Sequence, residues 1–226
     1  MLLKQNETIV FAGDSVTDAG KNGPFGIANA LGQDLGEGYV RFFSDILSAT
    51  YPELNIQIVN SGISGNTSQA LRDRWETDVL SFKPEWLSIC IGINDSIGKF
   101  LYPKHLEQTE SYQRYTDNLE YMVKTAQESG TKVILVSPYT AEPWSDDPLR
   151  KDMDEFRSIC KKTAEKFSCT YVDIQEMFDR YFKIRHQCCI AWDRVHPNRI
   201  GAYMIARELL KVFEFDYLHT GSETDE

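Results

Sequence analysis

The stretch FAGDSVTDAG, residues 11–20, places a serine where an apolar run gives way to a turn. A serine hydroxyl held at the end of a strand is a candidate nucleophile, and here that serine is Ser15. Glycine, aspartate and serine are also common in turns and helix caps, so Ser15 alone does not distinguish a catalytic serine from a structural one. Nucleophilic catalysis also requires a base, an acid that orients the base, and hydrogen-bond donors for a negatively charged oxygen.

A base and an orienting acid occur together in WDRVHPN, residues 192–198. Of the four histidines, only His196 has a carboxylate, Asp193, three residues upstream in a loop that precedes a predicted helix. Pro197 disfavours helical geometry at His196, which predicts a turn. Asp193 can then accept a hydrogen bond from one imidazole nitrogen and leave the other free to take the Ser15 proton. A chance pair of surface residues is the alternative interpretation.

Two further loops contain donors suited to an oxyanion. In NSGISGNT, residues 60–67, glycines permit close backbone approach, and the Gly65 amide can face a bound oxygen. In IGIND, residues 91–95, the side-chain amide of Asn94 can donate to the same oxygen. Each pattern by itself also fits a turn or a helix cap. With Ser15, the two loops predict an oxyanion hole made of the Ser15 and Gly65 backbone amides and the Asn94 side chain.

The predicted secondary structure explains how these residues meet. Short β-branched apolar runs alternate with amphipathic stretches, and continuous apolar runs are typical of strands buried on both faces. The predicted strands span 8–13, 56–62, 86–92, 132–138 and 170–174, and the predicted helices span 39–50, 68–82, 109–129, 149–167 and 199–213. Repeated β-α units favour an α/β fold, a three-layer α/β/α sandwich with about five parallel strands. Ser15, Gly65 and Asn94 each follow a strand, at the sheet edge where ligands bind.

The alternating pattern covers nearly the whole chain, which predicts a single domain over residues 1–226. Residues 21–38 are rich in glycine and aperiodic, and we expect a surface loop there. Residues 219–226 are predicted to form a solvated acidic tail.

Composition narrows the classes of partner. The formal net charge of −10 disfavours nucleic acid, because a polyanion would be repelled. No run approaches the roughly 18 apolar residues of a membrane-spanning helix, and the N-terminus lacks the long apolar stretch of a signal peptide. The five cysteines (Cys90, Cys160, Cys169, Cys188 and Cys189) are odd in number and lack metal-site spacing. Their pattern predicts free thiols in a reducing cytoplasm and no bound metal.

Four segments resemble, in order and spacing, the four blocks of the SGNH or GDSL hydrolases: GDSVTD (13–18), ISGNT (63–67), GIND (92–95) and DRVHPN (193–198). The resemblance covers about residues 8–213 and implies a flavodoxin-like SGNH hydrolase fold. It places the catalytic Ser, Gly, Asn and His of the family on Ser15, Gly65, Asn94 and His196, with Asp193 as the acid of the triad. The first block reads GDSV where the family name has GDSL, at a position that is not itself catalytic.

Longer stretches, among them GEGYV, RWETDVL and DPLRKDMDEF, resemble the branch of that family that contains bacterial acetyl xylan esterases. This resemblance implies a serine carboxylic-ester hydrolase that removes acetyl groups from xylo-oligosaccharides or other carbohydrates through an acyl-enzyme. It implies no cofactor, a small acylated substrate as partner, no membrane partner and assembly as a homo-oligomer. A lysophospholipase or thioesterase with the same triad stays open, because only the acyl pocket would differ. A non-catalytic carbohydrate-binding protein is the other alternative.

Overall fold

The computed structural model describes residues 1–23, 25–28, 34–100 and 110–220, which contain one six-stranded sheet. Its strands are β1 (Thr8–Gly13), β2 (Gly26–Ala28), β3 (Gln57–Gly62), β4 (Trp86–Cys90), β5 (Lys132–Val136) and β6 (Thr170–Val172). They lie in the order β2-β3-β1-β4-β5-β6, and all neighbours except β2 and β3 pair in parallel. The five parallel strands have the order of flavodoxin-like sheets. The predicted α/β fold is therefore confirmed.

The sixth strand differs from the prediction. β2 pairs antiparallel with β3 at the edge of the sheet, where Ile27 lies opposite Val59. It falls inside residues 21–38, so the prediction of a surface loop was wrong for residues 26–28. Three residues carry too short a pattern to indicate a strand, and this strand is defined by its pairing with β3. Residues 24 and 29–33 of that segment lie outside the described residues.

Helices cover both faces of the sheet: α1 (Ser15–Asp18), α2 (Tyr39–Thr50), α3 (Ser68–Asp73), α4 (Trp75–Asp78), α5 (Ile93–Ile97), α6 (Tyr112–Glu128), α7 (Pro148–Phe167), α8 (Ile174–Phe182) and α9 (Arg199–Val212). Alternate residues of β1 belong to different cores. Ile9 and Phe11 share a core with α2, α8 and α9, whereas Val10 and Ala12 share a core with α3, α4, α6 and α7. Because successive side chains point to opposite faces, both faces must be apolar. This is the predicted three-layer arrangement.

The predicted helix over 68–82 is divided into three pieces. The backbone leaves helical geometry at Arg74 and again at Val79, and a short 3₁₀ turn follows at Leu80–Phe82. Three short helices had no predicted counterpart: α1, α5 and α8. Helices α1 and α5 have four and five residues, too few to show a periodic pattern. Helix α1 begins at Ser15, and Asn94 is the second residue of α5.

The start of the predicted tail is packed rather than solvated. The His219 ring stacks on Tyr51 with centroids 4.0 Å apart, and its Nε2 lies 2.9 Å from Glu53 Oε1. Residues 221–226, the acidic part of that prediction, lie outside the described residues. Among the helices that the structure describes, none combines the length and apolar character needed to cross a membrane.

Candidate active site

Ser15 stands at the junction of β1 and α1. β1 ends at Gly13, and Ser15 is the first residue of α1, where backbone amides have no acceptor inside the helix. Asp14 caps this helix, because its Oδ1 accepts a hydrogen bond from the Val16 amide at 3.0 Å. Asp14 is buried, whereas Ser15 is partly exposed. The serine hydroxyl is thus reachable at the carboxyl edge of the sheet.

A line of hydrogen bonds joins Ser15 to His196 and Asp193. Ser15 Oγ lies 2.8 Å from His196 Nε2, and His196 Nδ1 lies 2.6 Å from Asp193 Oδ2. The other oxygen of Asp193 accepts from the Val195 and His196 amides at 3.0 and 2.8 Å. Partial burial would raise the pKa of Asp193, but its hydrogen bonds with the His196 ring and with the two amides hold that pKa below its usual range. Asp193 is therefore a stable anion beside the imidazole.

The loop that carries Asp193 and His196 is fastened by residues following β5. Arg194 adopts a left-handed conformation (φ 71°), and its carbonyl accepts from the Thr140 hydroxyl at 3.0 Å and the Ala141 amide at 2.7 Å. The buried Tyr139 hydroxyl donates to the Val195 carbonyl at 3.1 Å. Sequence reasoning missed these contacts. Their one signal was position, because residues 139–141 follow a strand at the same sheet edge.

Gly65 occupies an exposed turn beside α1. Its φ of 83° favours glycine, and no atom of the described residues lies within 4 Å of where a Cβ would stand. The preceding Ser64 is held to α1, because its amide and hydroxyl donate to Asp18 Oδ2 at 2.9 and 2.7 Å. The turn is thereby tied to the helix that begins at Ser15.

Asn94 lies in the first turn of α5, close to the turn that contains Gly65. Its Nδ2 donates to the Asn66 carbonyl at 3.0 Å, which uses one of its two amide hydrogens and leaves the other for a ligand. The next residue, Asp95, is buried and accepts from the amide and the hydroxyl of Ser68. The structure thus brings the Gly65 and Asn94 loops into contact. Their role as oxyanion donors stays a prediction.

Two buried carboxyl groups are chain neighbours of the site residues: Asp14 precedes Ser15, and Asp95 follows Asn94. Burial raises the pKa of Asp14 to about 7, although the Val16 amide and the charge of His196 oppose the rise. Burial likewise raises the pKa of Asp95 to about 7, opposed by its hydrogen bonds with Ser68. Removing a carboxylate from water disfavours its charged form. Both groups are therefore poised to titrate near neutral pH.

None of the five cysteines is in a disulfide. Cys90 and Cys160 are buried, and Cys188 is exposed with its Sγ 3.1 Å from His186 Nδ1. Within the ranges that the structure describes, no cluster of three or more His, Cys, Asp or Glu side chains is arranged to hold a metal ion.

Known proteins are similar to this chain in sequence and in fold. The model of the GDSL-like lipase/acylhydrolase family matches residues 11–203. The chain is 37% identical over 220 residues to an acetylxylan esterase of Geobacillus stearothermophilus, which covers 97% of this chain and 100% of the relative. The crystal structure of that esterase, Axe2, matches with a TM-score of 0.92 over the same shares of the two chains. Three further Axe2 structures are catalytic mutants in which a serine, a histidine or an aspartate is replaced by alanine.

Two other relatives are more distant or partial. LAE5, an alpha/beta hydrolase enzyme from the metagenome of Lake Arreo in Spain, is 34% identical with a TM-score of 0.88, covering 95% of this chain and 98% of its own. YqeF, an uncharacterized lipoprotein of Bacillus subtilis (strain 168), is 38% identical over 87 residues, which is 37% of this chain and 32% of YqeF.

Proposed function

The chain belongs to the GDSL-like lipase/acylhydrolase family as a serine carboxylic-ester hydrolase, and we propose that it removes acetyl groups from xylo-oligosaccharides or other carbohydrates. The observation that carries this proposal is the hydrogen-bonded line of Ser15, His196 and Asp193. It occurs in a chain that is 37% identical to an acetylxylan esterase over 97% of its length. The catalytic mutants of that relative change the same three residue types, which supports the triad assignment.

The first half of the reaction forms an acyl-enzyme. Ser15 Oγ attacks the ester carbonyl carbon while neutral His196 takes the hydroxyl proton at Nε2, across the 2.8 Å contact. Asp193 fixes the tautomer through Nδ1 and stabilises the imidazolium that forms. When the tetrahedral intermediate collapses, the imidazolium gives its proton to the departing sugar hydroxyl.

The second half releases the acid. A water molecule gives a proton to His196 and attacks the acyl carbon, and the second tetrahedral intermediate expels Ser15 Oγ, which regains its proton. In both halves the carbonyl oxygen becomes an anion. We assign its stabilisation to the Ser15 and Gly65 amides and the Asn94 side chain, in line with the contact between the Gly65 and Asn94 loops.

The short acyl group is inferred from the likeness to an acetylxylan esterase. A cavity of about 10 Å³ is lined by Asp14, Val16, Ile93 and Pro138 among others and has room for about one water molecule. Its lining includes neither Ser15 nor His196, so we do not assign it as the acyl pocket.

A cleft beside the loop of Asp193 and His196 supports a sugar as the alcohol part of the substrate. Its volume is about 560 Å³, and it is lined by Pro143, Trp144, Ser145, Asp146 and Asp147. Trp144 is 76% exposed, and sugar rings stack their apolar faces on such rings while their hydroxyls bond carboxylates. Asp147 Oδ1 accepts from Arg194 Nη2 at 2.5 Å, which joins the cleft to the loop.

Two rival functions make different demands on the same residues. Binding of carbohydrate without catalysis needs no base beside a nucleophile, so the Ser15–His196 contact weighs against it. A lysophospholipase or thioesterase would use the same triad but a larger acyl pocket, so the choice of substrate separates it from the acetylesterase.

The triad is tested by Ser15→Ala and His196→Ala, with hydrolysis of p-nitrophenyl acetate as the assay. Each variant should lose at least about 10³-fold in kcat/KM while its circular dichroism and thermal unfolding stay close to those of the wild type. Ser81→Ala and His219→Ala, which change residues of the same types remote from the site, are matched controls. Retention of more than about a tenth of the wild-type turnover by Ser15→Ala would refute the nucleophile assignment.

The acyl and alcohol parts are tested by a substrate series. We expect kcat/KM to fall from p-nitrophenyl acetate through butyrate to octanoate, and acetylated xylo-oligosaccharide to be hydrolysed faster than lysophosphatidylcholine or an acyl thioester. An apolar acyl tunnel would reverse the first trend, because each buried CH₂ contributes about 0.8 kcal/mol. A rise toward octanoate, or preference for the lipid, would favour the lysophospholipase alternative.

We also propose a cytoplasmic location and assembly as a homo-oligomer. The free thiols support a reducing compartment, whereas the partial likeness to a lipoprotein points the other way, so cell fractionation is the deciding experiment. Among the residues that the structure describes, four large apolar side chains are more than three-quarters exposed, namely Trp144, Ile184, Trp192 and Leu218. Exposed apolar groups of this size support self-association, which light scattering of the purified chain measures directly.

A further inference from the structure

Arg74, a residue outside the predicted site, binds the sheet edge on which the site is built. It separates α3 from α4, and only 12% of its side chain is exposed. Its Nη2 donates to the Gly13 carbonyl at 3.2 Å and to the Ser61 carbonyl at 2.8 Å, and its Nη1 donates to Ser61 Oγ at 2.9 Å. Its Nε donates to Asn66 Oδ1 at 2.7 Å. One guanidinium therefore ties the ends of β1 and β3 to the turn of residues 63–67.

The residues that Arg74 binds lie next to the three proposed oxyanion donors. Gly13 lies two residues before Ser15, and Asn66 directly follows Gly65. The carbonyl of Asn66 accepts the hydrogen bond from Asn94 Nδ2 at 3.0 Å. Arg74 thus reaches the Ser15 and Gly65 segments directly and the Asn94 segment through Asn66.

We propose that Arg74 is a positioning residue that holds the Ser15 and Gly65 amides and the Asn94 side chain in one oxyanion-binding geometry. This inference rests on the proposed function, because it concerns the donors assigned there. Oxyanion donors act only when they stand about 2.7–3.1 Å from the position of the developing charge, so small displacements of these segments are costly. The planar fork of an arginine presents several donors at fixed angles, whereas a lysine ammonium is a single mobile group.

A purely structural role for Arg74 makes a different prediction. Loss of a buried, hydrogen-bonded arginine would then lower the stability of the fold and leave the turnover of the folded fraction unchanged. A positioning role predicts loss of kcat with little change in KM, because the donors bind the transition state more strongly than the ground state. It also predicts weaker binding of a ligand that mimics the tetrahedral state.

The experiment compares Arg74→Lys and Arg74→Gln with the wild type, using p-nitrophenyl acetate, inhibition by ethylboronic acid and thermal unfolding. Ethylboronic acid forms a tetrahedral adduct with an active serine. We expect each folded variant to lose about 10- to 10³-fold in kcat, with the upper end equal to the loss of one oxyanion donor, and KM to change less than about threefold. The inhibition constant of the boronic acid should rise by a similar factor.

Arg157→Gln is the matched control. Arg157 is also partly buried and binds Asp173 through Nε and Nη2 at 2.9 and 2.7 Å, beyond the edge strand β6. This variant should lose stability while keeping the wild-type kcat. If neither Arg74 variant folds, Asn66→Ala removes the acceptor of Arg74 Nε and should lower kcat in the same way.

The outcomes separate the two proposals. A folded Arg74→Gln with kcat within twofold of the wild type would overturn the inference and leave the proposed function intact. Equal losses of kcat in Arg74→Gln and Arg157→Gln would also overturn it, because the effect would then follow stability. A wild-type chain that hydrolyses no ester would refute the proposed function, and the assignment of Arg74 would fall with it.

Discussion

At the scale of single residues, the site stabilises the charged form of one carboxyl group, that of Asp193, and disfavours the charged forms of two others, those of Asp14 and Asp95. Hydrogen bonds lower the pKa of Asp193 against the effect of its burial, so this carboxylate remains an anion beside His196. Asp14 and Asp95 have the opposite tendency, because burial raises the pKa of each to about 7. Asp193 is a member of the proposed triad, and Asp14 and Asp95 are chain neighbours of Ser15 and Asn94. Their different behaviour comes from solvent access and hydrogen-bond donors rather than from residue type.

Asn94→Ala should lower kcat for p-nitrophenyl acetate by about 10²–10³-fold and change KM less than about threefold. The reason is that a donor to the oxyanion interacts mainly with the transition state. Steady-state kinetics on the folded variant measure both constants. An increase in KM at unchanged kcat would mean that Asn94 binds substrate or only holds the Asn66 carbonyl.

Asp14→Asn should remove a pH dependence of stability. The pKa of Asp14 is raised from 3.8 to about 7, so the folded chain binds this proton more tightly than the unfolded chain. The stabilisation is complete below pH 3.8 and is lost as pH rises through about 7. The full difference corresponds to about 4 kcal/mol.

Thermal or urea unfolding at pH 5 and pH 8 checks this expectation. The asparagine can still accept from the Val16 amide, and it carries no charge at either pH. The wild type should lose more stability than Asp14→Asn between the two pH values. Equal losses would show that Asp14 titrates normally in the folded chain.

At the scale of elements, the site is a set of loops bound to one another. Asp18 of α1 holds the turn of Gly65, and Arg194 joins the segment after β5 to the loop of Asp193 and His196. The strands end at one edge because they are parallel. The loops then need these cross-links to set the distances between side chains.

Gly62→Ala should displace α1 and with it Ser15. A Cβ at Gly62 would stand 2.3 Å from the Asp18 amide nitrogen and 2.7 Å from the Thr17 carbonyl carbon, both backbone atoms of α1. We expect a loss of about 1–3 kcal/mol in unfolding free energy and at least a tenfold loss in kcat.

Gly130→Ala is the control for that variant. Its φ of 84° makes an alanine strained, but no described atom lies within 4 Å of the added Cβ, and Gly130 follows α6, outside the site. It should lose stability and keep its kcat. Unchanged kcat in a folded Gly62→Ala would mean that α1 tolerates the shift.

Trp144→Ala should raise KM for acetylated xylo-oligosaccharide about tenfold or more and leave p-nitrophenyl acetate hydrolysis unchanged, because only the sugar reaches the cleft. An aromatic contact contributes about 0.5–1.5 kcal/mol, and the apolar area that it buries contributes further binding free energy. Trp144→Phe should recover part of the affinity. Equal effects on both substrates would instead indicate damage to the loop that Arg194 binds.

At the scale of the whole molecule, the proposed triad joins distant parts of the chain. Ser15 and His196 are 181 positions apart and yet hydrogen-bonded. The two cores on either side of the sheet share the same strands, since alternate residues of β1 belong to each. A single domain over residues 1–226 therefore remains our proposal for the domain organisation.

Unfolding in urea should proceed in one transition that removes structure and activity together. Trp75 and Trp86 lie in different cores, so tryptophan fluorescence follows both sides of the sheet. Coincidence of fluorescence, circular dichroism and esterase activity is the test for a two-state domain. Loss of activity at a clearly lower urea concentration than the fluorescence change would show that the site unfolds locally.

The sequence by itself determined the α/β class and the central strands, because strands buried on both faces need continuous apolar runs that are visible locally. It also indicated which loops carry Ser15, Gly65 and Asn94, because parallel strands bring their carboxyl ends to one edge. Asp193 and His196 were indicated by their spacing in a turn before a helix. The short elements β2, α1 and α5 could not be predicted, since they contain too few residues for a period.

Only the tertiary structure decided how these loops are held. Arg72 and Arg74 are two positions apart and look equivalent in the sequence. Arg72 binds Asn118 and lies over the Tyr121 ring, whereas Arg74 turns into the sheet edge and binds Gly13, Ser61 and Asn66. The difference arises because the backbone leaves the helix at Arg74 and because its partners are brought together from distant parts of the chain. No local pattern records such contacts, since they exist only once the strands have paired.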